Sequence, residues 1–158
     1  MRRHPAAFAI LAGGGIAGAC DITYAVVFSG FHGVPAMKIL QSVASGLLGK
    51  AAFDGGVPVA ILGLVLHFLM ALLMAAIFYA ASRRLPVLTR HAIASGLAYG
   101  LAIYLTMNFV VLPLSAWPGK FRFDLTLLIF NLIIHMGFVG LPIALATHKA
   151  SAWRAAGS

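Results

Sequence analysis

Four apolar runs, each long enough to cross a bilayer and separated by short segments that hold most of the charge, leave this chain one solvent in which to fold. A hydrocarbon core of roughly 30 Å needs about 20 apolar residues in a helix, and residues 6–28, 57–81, 91–114 and 125–147 meet that requirement. The expected fold is therefore all-α, an integral membrane four-helix bundle. Hydrophobic residues make up 62% of the 158 and charged residues 9%, with a mean hydropathy of +1.02. Soluble domains hold about 45 to 50% apolar residues even with glycine counted, so a water-soluble fold is excluded. The spans consume most of the length, which predicts a single domain.

The segment between the first two spans has a different character. Over residues 35–53, Ile39, Leu40, Val43, Leu47 and Ala51 recur on one helical face, with Lys38, Gln41, Ser42, Ser45 and Gly49 toward the other. Two internal lysines argue against a fifth span. An additional amphipathic helix lying in the interface, begun at Pro35, is the expectation, with a re-entrant hairpin as the alternative.

Charge sets the expected orientation, because short loops on the cytoplasmic side carry the excess of Lys and Arg. One side carries seven, Arg2, Arg3, Arg83, Arg84, Arg90, Lys149 and Arg154; the other carries four, Lys38, Lys50, Lys120 and Arg122. Both termini are thus expected in the cytoplasm. The net charge of +8 comes from basic residues scattered at span ends, without interleaved aromatic residues. That pattern points to anionic lipid in the surrounding bilayer and not to nucleic acid. Trp117 and Trp153 fall just beyond span ends, where an interfacial aromatic belt places them.

Ala17-Gly18-Ala19-Cys20-Asp21 follows a basic start and an apolar stretch, as in a lipoprotein signal with Cys20 as the lipidated residue. Three consecutive glycines interrupt that stretch, and apolarity resumes from Ile22 to Phe28. A retained first span is the expectation. Gly14 and Gly18, and Gly96 and Gly100, form small-xxx-small pairs that let another helix approach closely, within the chain or in a homo-oligomer.

Polar groups inside spans are costly and so become functional candidates. Asp21 falls about 10 Å below the far end of the first span, at 1.5 Å per residue. By the same rise, His67 and His135 share one depth, about 15 Å below the same surface, and Asn108 lies at about 9 Å. Asn131 is one helical turn from His135, Met70 and Met74 share the face of His67, and Tyr104 shares that of Asn108. Asp21, His67, Asn108, Asn131 and His135 thus form the expected intramembrane polar cluster.

Four uses suit such a cluster. Interhelical hydrogen bonds among Asp21, His67, Asn108 and His135 would hold the spans in register in a protein of structural or accessory role. Asp and His would serve a small transporter or proton-linked carrier. His67 and His135 would ligate a b-type haem in an electron carrier. A copper or zinc ion would need His67, His135 and Asp21 with Met70 or Met136. The accessory role, without a catalytic site or cofactor, is the primary expectation. The chain has no phosphate-binding Gly-x-x-x-x-Gly-Lys loop, no Gly-x-Ser-x-Gly elbow, no Cys-x-x-Cys and no His-Glu-x-x-His, and it contains no glutamate.

Leu66-His67-Phe68, Ser82-Arg83-Arg84-Leu85-Pro86, Gly96-Leu97-Ala98-Tyr99-Gly100, Met107-Asn108 and Val111-Leu112-Pro113-Leu114 follow one another in an order that resembles small bacterial inner-membrane proteins distantly similar to the YagU family. The resemblance covers most of spans two to four. It implies four spans and a bacterial inner membrane, and it brings no reaction, ligand or catalytic residue.

Overall fold

In a computed structural model, residues 4–119 and 124–155 are described, and they are almost entirely helical. Four helices are long and apolar enough to cross a membrane: Pro5–Phe31, Gly56–Arg84, Ala92–Leu114 and Leu125–Arg154. The protein is a multi-pass membrane bundle. Its exposed surface is apolar, with Leu11, Ile16, Val65, Leu69, Ile93, Phe109 and Phe138 among the outward residues, as expected where lipid replaces water. The described ends of the chain, at the start of the first span and the end of the fourth, pack together on what is here called the terminal side.

The spans run past their expected ends wherever the sequence supplies no stop. Arg83 and Arg84 do not end the second span, because their long stems carry the charge outward while the backbone stays helical. Pro86 ends it, by forcing Leu85 out of the helical region to φ −121°, ψ 85°. The first span continues without a break through Cys20 to Phe31, so a cut before Cys20 would divide a regular helix.

Glycines decide which spans touch. The first span packs against both the second and the fourth, and the third packs against the fourth. A Cβ on Gly14 would lie 2.9 Å from the Leu72 Cα, and one on Gly18 would lie 3.0 Å from the Phe68 ring. Gly13 sits equally close to Ile143, with 3.2 Å to its Cα. On the third span, a Cβ on Gly96 would meet the Leu141 Cα at 2.9 Å, and one on Gly100 would run into the His135 carbonyl. Gly140 returns the contact, meeting Gly96 and Gly100. Both small-xxx-small pairs are therefore used within the chain, where close backbone approach replaces hydrophobic drive.

The second and third spans meet mainly near the terminal side. There the Tyr99 hydroxyl donates to the Met74 carbonyl at 2.8 Å, and the Phe78 and Tyr99 rings lie 4.9 Å apart. The buried core surrounds this contact, with Ala17, Ala75, Phe78, Ile103, Val139, Ile143 and Ala144.

The connecting helix forms at Ala36–Leu48, begun by Pro35 as expected, and a 3₁₀ segment, Gly49–Asp54, returns the chain to the second span. Gly49 takes φ +61° at the junction, a conformation that a side chain would strain. The orientation of this helix corrects the amphipathic expectation. Gln41 and Ser45, assigned to the polar face, are buried with Ala44, whereas Leu47 is 66% exposed. Inside a bilayer the cheap place for a polar side chain is against protein, where it finds a partner. Gln41 accordingly donates to the Gly56 carbonyl at 3.1 Å, and Ser45 donates to the Ser42 carbonyl at 2.7 Å. Gly63 allows the second span to reach the Leu40 carbonyl.

Two spans contain π-helical turns, Met107–Val111 in the third and Ile134–Gly140 in the fourth. A proline follows each, Pro113 and Pro142. Each proline lacks an N–H and its ring displaces the carbonyl four residues earlier, so the preceding turn widens. Pro142 thus follows a widened turn, and the third span passes through Pro113 to Leu114, the end expected for it.

Candidate functional site

The five polar residues singled out by depth and helical face line one cavity of about 260 Å³ in the bundle. Asp21 comes from the first span, His67 from the second, Asn108 from the third, and Asn131 and His135 from the fourth. Met70, Met74, Tyr104 and Met107 complete much of the wall, and Ala17 and Gly18 supply small residues on the first span. All five polar side chains are half-buried.

The widened turns shape this cavity. Asn108 is the second residue of one π-helical segment and His135 the second residue of the other. At the entry to each turn the polar side chain reaches back to the carbonyl four residues earlier, an oxygen that also accepts a backbone N–H, from Met107 at Tyr104 and from Ile134 at Asn131. The Asn108 amide nitrogen donates to the Tyr104 carbonyl at 2.9 Å, and His135 Nδ1 donates to the Asn131 carbonyl at 2.8 Å. The Tyr104 and His135 rings meet edge to face, with centroids 5.4 Å apart and planes at 75°.

His67 makes the one bond from this group that joins two spans, Nε2 donating to the Gly18 carbonyl at 2.9 Å. Gly18 and the small residue before it keep that carbonyl within reach. The accessory reading expects hydrogen bonds among Asp21, His67, Asn108 and His135 themselves. Among the described residues none joins these side chains to one another; three of them bind backbone carbonyls and turn their remaining polar atoms to the cavity wall.

These bonds bear on metal and haem ligation. A carbonyl oxygen only accepts, so the ring nitrogen facing it carries the proton and the other nitrogen of a neutral imidazole keeps its lone pair. His135 presents Nε2, the outer nitrogen, whereas His67 presents Nδ1, next to its own Cβ. The pair is thus asymmetric, and His67 would have to give up its Gly18 bond to offer its outer nitrogen to haem iron. Among the described residues, no three His, Cys, Asp or Glu side chains converge as a metal site. Of the two methionines considered beside them, Met70 lines the cavity and Met136 does not.

Two further spaces adjoin. A groove of about 440 Å³ shares Asp21, His67, Met70, Met107 and Leu112 with the cavity and runs on to Ser42, Val43, Leu47 and Trp117. A smaller space of about 300 Å³, between Asn108, Leu112 and Trp117, borders both. The loop after the third span closes this end, with the Ala116 amide donating to the Gly46 carbonyl at 2.9 Å. Trp117, expected in an interfacial belt, lines the groove. Helical periodicity identified the five polar residues, but the groove depends on how the connecting helix docks, and no periodic signal reports that.

On the terminal side, the Phe8 and Trp153 rings meet at a tilt of 49° with centroids 4.5 Å apart, beneath Lys149. Arg154 donates to the Tyr79 hydroxyl at 3.0 Å, and His148 Nδ1 donates to the Thr89 carbonyl at 2.7 Å. These contacts tie the end of the fourth span to the first span, the second span and the link between the second and third. Arg2, Arg3, Lys120 and Arg122, which entered the orientation count, lie outside the described residues.

No protein-family model, curated protein or solved structure matches this chain.

Proposed function

We infer that the protein is a small membrane carrier that binds its ligand in the intramembrane cavity and couples binding to Asp21 and the two histidines. The observation that carries this reading is the direction of the polar groups. Asp21, His67, Asn108, Asn131 and His135 come from all four spans to one cavity, without hydrogen bonds among their side chains. Polar groups recruited only to hold helices together would be expected to bond each other. A carboxyl and two imidazoles around a space reached from a groove are suited to moving protons or a small solute.

The proposed setting is a bacterial inner membrane, as the resemblance to the YagU family implies, with the terminal side in the cytoplasm, as the seven-to-four distribution of Lys and Arg implies. The accessory role stays as a second reading, favoured by the His67 bond to Gly18, which does join two spans.

The test is charge movement. Proteoliposomes adsorbed on a supported membrane should give a protein-dependent transient current after a pH step, and Asp21→Asn should abolish it while the protein still elutes as a single species. A wild-type protein that gives no current above that of empty liposomes would return the cluster to the accessory role.

A further inference from the structure

We propose that the cavity and its adjoining groove take a lipophilic organic cation, a positively charged head carrying an apolar body; this assignment rests on the carrier reading and names its substrate class. The first argument is the sign of the cavity's hydrogen bonding. His67 and His135 each spend their ring N–H on a backbone carbonyl, so each retains a lone pair. Asn108 spends one of its two amide N–H groups on Tyr104 and retains its side-chain oxygen as an acceptor. Asp21 adds the one carboxyl found inside a span. Although the chain has 11 Lys and Arg, none among the described residues lines the cavity or the groove. A wall that holds a carboxyl and two imidazole lone pairs, with no ammonium or guanidinium among the described residues, suits a positive head better than an anion.

The second argument is the groove. It continues from Asp21 and His67 to Val43, Leu47, Leu66 and Trp117, so an apolar body finds surface directly beside the polar wall. A small inorganic ion would leave that surface unused, and the described residues give it no three converging ligands. A neutral lipid chain would leave Asp21 unused. Trp117 adds an aromatic ring to the lining of the groove, and Met70 and Met107, at the junction, are flexible enough to fit bodies of different shape.

The probe is tetraphenylphosphonium, with neutral triphenylphosphine oxide as the competitor of related shape. Equilibrium dialysis of the labelled cation against full-length protein in detergent micelles should show saturable binding of about one per chain. Asp21→Asn should weaken it at least tenfold. Val43→Trp, which fills the groove on the connecting helix and leaves the spans intact, should do the same and serves if Asp21→Asn fails to fold. Triphenylphosphine oxide should not displace the cation, since it brings no positive charge to Asp21. Unchanged binding in both variants, or displacement by the neutral oxide, would overturn the assignment. Charge movement after a pH step without binding of tetraphenylphosphonium would remove the cation and keep the carrier; loss of both would remove both.

Discussion

Gly140→Ala should be strongly destabilising for a change of one methyl group. The Cβ it adds would point into the third span, 2.7 Å from the Gly100 Cα and closer still to the Gly96 carbonyl and the Gly100 amide. Ordinary contact begins near 3.4 Å, so the two spans must part by at least 0.7 Å at this crossing. The obstructing atoms are backbone on both sides, and no rotamer change relieves them. A gap of 0.5 to 1 Å forfeits about a quarter to a half of each contact's attraction, and overpacking of this kind costs about 1 to 3 kcal/mol. A loss of about 3 kcal/mol is roughly a hundredfold in the folding equilibrium. Gly137→Ala is the matched control, because a Cβ there meets nothing within 4 Å, three residues away in the same widened turn. It should be neutral or better, since alanine is favoured over glycine in a helix by at most about 1 kcal/mol. Unfolding of both variants by titration with sodium dodecyl sulfate in mixed micelles, followed by circular dichroism, reads the difference. Equal midpoints for Gly140→Ala and wild type, or equal losses in the two variants, would refute the close-crossing argument.

Other changes should be milder or act on the site. His67→Ala removes the bond to the Gly18 carbonyl and should cost about 0.6 kcal/mol, the usual worth of such a bond in membranes, by the same titration; a loss several times larger would make His67 chiefly a structural residue. Pro113→Ala and Pro142→Ala restore the missing N–H and should let each widened turn revert to α, raising stability while weakening ligand binding, because Asn108 and His135 rotate from the cavity. Unchanged binding in both would show that the prolines do not set the site. Arg154→Ala loses the Tyr79 hydroxyl bond and a ring contact at 5.3 Å, and should cost about 1 kcal/mol and quicken proteolysis near the end of the fourth span. Proteolysis at the wild-type rate would argue against that anchor.

The parts of the fold governed by one helix at a time were legible in the sequence. Span positions followed from length and apolarity, and the common cavity of Asp21, His67, Asn108, Asn131 and His135 followed from rise and periodicity alone. What depends on neighbours was not legible. The widened turns at Asn108 and His135 precede prolines five and seven residues later, and no periodicity reports how a proline reshapes the turn before it. Gln41 and Ser45 read as a polar outer face because amphipathicity is measured against water, whereas that face docks on the second span. The destinations of Gly14, Gly18, Gly96 and Gly100, another span of the same chain, required knowing which spans dock.

The inward turn of Gln41 and Ser45 also bears on how this protein can be handled. The one segment whose composition looks half soluble is the one that water would serve worst, because Met37, Leu47 and Leu48 form its outer skin. A detergent belt sized to the four spans alone would leave that skin bare, and particles would meet through it. Repainting Met37 and Leu48, which line neither the cavity nor the groove, would leave the Gln41 and Ser45 contacts and the Leu47 side of the groove untouched, which makes this short helix the first place to alter when a better-behaved sample is wanted.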